Sequence, residues 1–163
     1  MKLRLSLAAA MLGSLACTST HAATDTVTVN FSGTLTRPPC TMTSSKALTV
    51  NFGTMRADQT AAAPMVNIPV TLSCPANSAL NISVKASNVF QGSTTQAYAG
   101  KDYLAYVMYW NSDNSAVNVT GEKRRLTNLS GTVDLGMKAK LTALGTLTEG
   151  SFSASSVISI EYL

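Results

Sequence analysis

The sequence predicts an all-β fold, an antiparallel β-sandwich, and three observations carry that prediction. Thr, Ser, Val and Asn are plentiful while charged residues make up only 12% of the chain, a composition that suits strands better than helices. Apolar residues recur on alternate positions in one short stretch after another, the period of a half-buried strand. Proline, glycine and asparagine punctuate those stretches as turn residues do. The length of 163 residues predicts one domain. No fixed-period repeat, low-complexity block or interdomain linker interrupts it.

Residues 1–22 read as a secretory signal. Lys2 and Arg4 give a positive start, Leu5 to Ala16 is an apolar run too short to span a bilayer comfortably, and Thr20-His21-Ala22 offers a small residue at the cut. A competing reading takes Ser14-Leu15-Ala16-Cys17 as a lipoprotein box with a lipid on Cys17, although Ser14 stands where leucine is usual. Cleavage after Ala22 leaves 141 residues, 163 less 22. Lys2 and Arg4 go with the signal, so twelve basic residues become ten against eight acidic ones, a charge of +2. That balance points to no anionic partner, and no nucleic acid is expected. No later run is long enough to cross a bilayer, so no stable membrane insertion is expected.

The only histidine, His21, and Cys17 also leave with the signal. Cys40 and Cys74 remain, an even pair in an exported chain, and read as one disulfide. Closing a ring of about 35 residues contributes roughly 3–4 kcal/mol in the chain-entropy model. Two sulfurs without a histidine cannot complete a zinc site, so no metal and no cofactor is expected. With no histidine for proton transfer, paired cysteines, no carboxylate dyad around Asp113 or Glu122 and no glycine-rich phosphate loop, an enzyme is not expected either.

The elements follow in order. Val27, Val29, Phe31, Gly33 and Leu35 share one parity with polar residues between them, an amphipathic strand that Arg37-Pro38-Pro39 ends. Leu48, Val50 and Phe52 form a short second alternation before Gly53, and Ala57–Ala63 suggests a helical turn. Val66, Ile68, Val70, Leu72 and Cys74 form a third strand that Pro75 stops; Pro69, on the opposite parity, needs an edge or a bulge. Leu80 to Ala86 is a fourth. Tyr103 to Trp110 is continuously apolar and aromatic, a strand buried on both faces for part of its length, with Asn111–Asn114 as its turn. Lys123-Arg124-Arg125 reads as a solvated loop. Val133, Leu135, Met137, Ala139 and Leu141 alternate again. A closing strand runs from about Phe152, with Phe152, Ala154, Ile158, Ile160 and Tyr162 on one parity up to Leu163. An apolar strand at that position needs a neighbour to lie against.

These residues resemble the pilin subunits of chaperone–usher, type 1-like, fimbriae. Gly150 stands fourteenth from the last residue and Tyr162 is penultimate, with alternating apolar residues between; Leu72-Ser73-Cys74-Pro75 surrounds the second cysteine; Val50-Asn51-Phe52-Gly53 looks like a first-strand motif; and Gly33 precedes Cys40 by seven residues. The resemblance implies an incomplete immunoglobulin-like sandwich lacking its last strand. Residues 23–36 would be an N-terminal donor extension with Val27, Val29, Phe31, Gly33 and Leu35 as its donor strand, and residues 37–163 the pilin domain. Gly150, Phe152, Ala154, Ile158, Ile160, Tyr162 and Leu163 would edge an acceptor groove. It further implies a periplasmic assembly chaperone, an outer-membrane usher and neighbouring pilin subunits as partners. The chain would pass through the periplasm to the fimbrium on the cell surface, polymerise by donor-strand exchange and support adhesion.

Plainer readings stand beside these. Val27–Leu35 also fits the first strand of a self-contained sandwich. Tyr98, Tyr103, Tyr106, Tyr109 and Trp110 suit core packing, or a sugar-binding surface on a self-contained secreted glycan-binding module, a single-domain adhesin.

Overall fold

The structure is a computed structural model that describes residues 25–36 and 38–163; the expected signal, with Cys17 and His21, and Arg37 lie outside the described residues. The chain divides into two units, Met1–Leu35 and Thr36–Leu163. In the first, the described residues hold no strand. The expected strand Val27–Leu35 is therefore not formed, and Val27, Phe31 and Leu35 are exposed at 87%, 92% and 102%.

The second unit is all-β apart from a 3-10 helix at Ala57–Ala62, where the helical turn was expected. Its strands are β1 (Thr41–Met42), β2 (Val66–Ile68), β3 (Thr71–Ala86), β4 (Gln96–Lys101), β5 (Leu104–Trp110), β6 (Arg124–Asp134), β7 (Met137–Ala143) and β8 (Ser156–Tyr162). They form two antiparallel sheets. One runs β2-β7-β5-β4; the other runs β1-β3-β6, with β8 also on β3.

Two expected strands are each broken in two, and the breaks lie side by side. Pro69 cannot donate to a ladder, so the alternation from Val66 to Cys74 splits into β2 in one sheet and the start of β3 in the other. Opposite it, the alternation from Val133 to Leu141 splits at Leu135–Gly136, where the Gly136 N–H donates to the Asp134 carboxylate (2.7 Å) instead of the ladder. The Leu135 N–H donates to the Val70 carbonyl (2.8 Å), so both strands change sheets together.

Pro75 does not stop its strand as expected. β3 continues to Ala86 through two register shifts between Cys74 and Leu80, with Asn77 at φ +61° and the Ser78 hydroxyl donating to the Pro75 carbonyl (2.7 Å). β3 is folded here rather than straight. Ile68 and Val70, just before it, line the same cavity as Ile158, which pairs with Val84 near its other end. The two halves of β3 thus face each other across the core, and Leu72, Leu80, Ile82, Val84, Met137 and Leu141 are buried between the layers.

Further differences concern the edges. Leu48–Phe52 is not a strand, although Val50 and Phe52 pack on the core. The closing strand starts at Ser156, not Phe152. Arg124 and Arg125 begin β6 rather than sit in a loop; β4, and β6 up to Thr132, lie where no strand was expected. The Tyr103–Trp110 run forms β5 from Leu104, buried on both faces except at Tyr109, whereas Tyr103 is exposed before it.

Candidate functional site

The folded β3 leaves an open seam. Its edge opposite β6 is shared by β1, at Leu72–Ser73, and by β8, at Leu80–Ala86. Folding β3 brings the segment that continues from β1 to face the segment that leads into β8. A groove of about 680 Å³ lies between them. Met42, Leu48, Val50 and Phe52 line its first wall, and Phe152 to Ile158 its second. The inner face of the other sheet forms the floor, through Ile68, Tyr106, Met108, Ala139 and Leu141, with Val70 from the break between β2 and β3. All six floor side chains are otherwise buried core. Among the described residues β8 pairs only with β3, so its other edge presents unpaired N–H and C=O groups beside an apolar trough.

Local sequence holds the second wall in place. Gly150 has φ +129°, a backbone that residues with a side chain rarely adopt. Lys101 Nζ donates to the Glu149 carbonyl (3.0 Å). Ser153 lies so close to Gly100 that a Cβ there would collide with its carbonyl oxygen. The Ser87 N–H donates to the Ser155 carbonyl (3.0 Å), and the Tyr106 hydroxyl shares a 2.7 Å hydrogen bond with the Ser156 hydroxyl. Tight apposition here explains why residues 151–155 are fixed without being a strand.

Of the expected groove residues, Phe152, Ile158 and Ile160 are half-buried and packed on the core. Ala154 is exposed along the wall. Tyr162 and Leu163 mark the far end, where they share a smaller cavity of about 180 Å³ with Pro38, Pro39, Cys40, Ser78 and Ala79. The Cys40–Cys74 disulfide is formed and ties the root of the first wall to β3. Val27, Val29, Phe31 and Leu35, expected as donor residues, are exposed, and nothing crowds Gly33. Sequence reasoning missed the floor: Tyr106, Met108, Ala139 and Leu141 read as ordinary core because a groove over a core has no periodicity of its own.

Among the described residues Lys46 is the one charged residue that lines the groove. On the outward side of β8 the Glu161 carboxylate accepts hydrogen bonds from Asn81 Nδ2 (3.0 Å) and Lys123 Nζ (2.7 Å), which hold it below its ordinary pKa. Arg124 lies 5.1 Å over the Trp110 ring and pairs with Asp113. The aromatic set forms no single exposed surface: Tyr106 and Trp110 are buried, Tyr98 and Tyr109 half-buried and Tyr103 exposed. Among the described residues no group of three or more His, Cys, Asp or Glu is placed to hold a metal. No helix there is long and apolar enough to cross a membrane.

The sequence profile of the fimbrial protein family matches residues 29–163. The chain belongs to that family. Its fold is that of chaperone–usher pilus subunits. The P pilus rod subunit PapA superposes with a TM-score of 0.64 at 20% identity, covering 77% of this chain and 100% of PapA. A chaperone–usher pilus subunit solved in a study of rod uncoiling gives 0.62 at 18% identity, over 88% and 99%. The P pilus adaptor subunit PapF gives 0.56 at 21% identity, over 77% and 97%. No curated protein sequence matches the chain significantly.

Proposed function

We propose that this fimbrial protein is a structural subunit that polymerises by donor-strand exchange. The observation that carries the reading is the groove: an apolar trough open to the core beside the free edge of β8. Such an edge is an aggregation hazard unless a strand covers it. The chain carries a matching element, residues 23–36, whose alternating Val27, Val29, Phe31 and Leu35 are exposed. Adding a strand to a sheet edge is an established mode of recognition, with pilin donor-strand complementation among its examples. Backbone hydrogen bonds would supply strength and alternate side chains the register. Burying the four side chains contributes on the order of 6–10 kcal/mol before ordering costs. Because donor and acceptor are different patches on each copy, the contact is head-to-tail and generates an open filament.

In this reading residues 1–22 direct export. A periplasmic chaperone covers the groove first, and at an outer-membrane usher the donor of the next subunit replaces the chaperone. The product is a surface fimbrium that supports adhesion. The test is periplasmic expression of the chain with and without its cognate chaperone, followed by addition of a peptide copying residues 24–36. Soluble chaperone complex that converts to peptide-bound subunit is the expected result. Polymerisation of a chain lacking residues 23–36, or a full mature chain that is a stable monomer unaided, would overturn the reading.

A further inference from the structure

The groove carries one charge, and so does the segment proposed to fill it. Among the described residues that line the groove Lys46 alone is charged; it is exposed, and the ion pairs of the fold do not include it. Among residues 25–36 Asp25 alone is charged, and it too is exposed. The signs are opposite. Asp25 also stands on the parity of Val27, Val29, Phe31 and Leu35, so a strand that turns those side chains into the trough turns the Asp25 carboxylate in with them. An unpaired carboxylate against apolar walls is costly, and an opposite charge within reach offsets that cost. We propose that Lys46 receives Asp25 of a second copy of this chain, an ion pair that selects a sibling donor by charge. This rests on the donor-strand reading above and adds to it the groups that recognise the partner.

The lengths fit. Lys46 stands six residues before Phe52, whose ring lies 6.3 Å from that of Phe152 between centroids. Six extended steps cover at most about 20 Å. A donor with Val27 beside Lys46 lays Val29 and Phe31 along the trough and brings Leu35 past the aromatic pair. Asp25 is then two residues, about 7 Å, further along the strand, a gap that the flexible four-carbon stem of lysine spans. At the Phe52 end the lining offers a carboxylate no cation. Both groups are exposed before assembly, so the pair lends discrimination between occupants more than strength.

The test offers purified chaperone-bound subunit two peptides copying residues 24–36 in competition, the parent sequence and Asp25→Lys, both N-acetylated to remove the terminal charge. At low salt the parent subunit is expected to take up the parent peptide about three- to tenfold in preference. A Lys46→Asp subunit is expected to prefer the Asp25→Lys peptide, and both preferences should shrink at high salt. Each preference is a ratio within one subunit, so a change in folding yield does not enter it. Equal uptake at low salt, or a preference for the parent peptide unchanged by Lys46→Asp, overturns the pair.

Full mature chains in cells that assemble them test the second copy. Asp25→Lys and Lys46→Asp chains are each expected to give about threefold less polymer alone. Expressed together they are expected to restore it, since each donor then meets the opposite charge in the other chain's groove. Recovery when both substitutions stand in one chain, but not in the mixture, would make the pair intramolecular and overturn the proposal. A subunit that takes up neither peptide sinks donor-strand exchange itself, and the ion pair with it; one that takes up both alike sinks only the ion pair.

Discussion

Two segments of this molecule carry apolar residues on alternate positions, Val27 to Leu35 and Ser156 to Tyr162, yet only the second is a strand. β8 has a seven-residue ladder with β3, from Leu80↔Tyr162 to Ala86↔Ser156, and Ile158 and Ile160 are drawn onto the core. Val27–Leu35 has the same period and lies exposed, without a strand. Alternation therefore specifies a two-faced ribbon, and a neighbouring ladder decides whether that ribbon becomes a strand. Leu48–Phe52 makes the same point at the groove: alternating, half-buried at Val50 and Phe52, and not a strand.

The largest expected effect separates the two segments by consequence. Phe31→Asp would place an unpaired carboxylate in the acceptor groove of the next subunit, a cost of several kcal/mol. Polymer should disappear while the yield of soluble, chaperone-bound subunit is unchanged. Ile158→Asp puts the same charge against the subunit's own core and should remove the soluble subunit as well. Gel ladders of polymer beside periplasmic yield measure both. If Phe31→Asp also abolishes soluble subunit, the segment serves its own fold and the contrast collapses.

Changes that touch the groove walls but neither alternating face come next. Replacing Cys40 and Cys74 together by serine frees the root of the first wall from β3. It is expected to cost about 2–4 kcal/mol in urea unfolding of the peptide-complemented subunit. Gly100→Ala acts on the other wall. It combines φ +76° with a collision against the Ser153 carbonyl, and is expected to cost about 1–3 kcal/mol. Because Ser153 must shift, peptide affinity should fall with stability. Loss of stability at constant affinity would show that the second wall is not positioned from Gly100.

The class of fold, the disulfide and the covered face of β8 are legible in the sequence because each depends on local pattern: residue composition, an even cysteine pair, a period of two. What is not legible depends on long-range pairing. Pro69 announces a disturbance, but only the ladder of Ile68 with Met137 and of Thr71 with Asp134 makes it a change of sheet. Pro75 reads as a stop, yet β6 follows β3 past it and the strand bends instead. β4 escapes notice because Gln96, Ala97, Tyr98 and Ala99 carry little hydrophobic contrast, and β6 because Arg124 and Arg125 mask its start. Of the residues that the resemblance placed along the groove, Phe152, Ala154 and Ile158 line the cavity, whereas Gly150, Ile160, Tyr162 and Leu163 do not. The floor was not legible, since Tyr106 and Met108 look the same whether a strand or a void lies above them.

The smallest expected effect tests the outward face of β8, where the exposed Val27–Leu35 segment has no counterpart. Asn81 and Lys123 hold the Glu161 carboxylate below its ordinary pKa of 4.5. A carboxyl group whose pKa is lower folded than unfolded contributes stability above the unfolded value, and that contribution is lost as pH falls through the folded value. Glu161 and Lys123 are more than half exposed, so the gain is small and screened by salt. Glu161→Gln should therefore be slightly less stable than the parent at neutral pH and low ionic strength. The two should converge on acidification below the ordinary carboxylate range, and also at high salt. Urea midpoints of the peptide-complemented subunit across that pH range measure it. A difference that persists in acid would mean that Glu161 acts by packing along β8 and not by charge, because protonation would then have removed the charge without removing the effect.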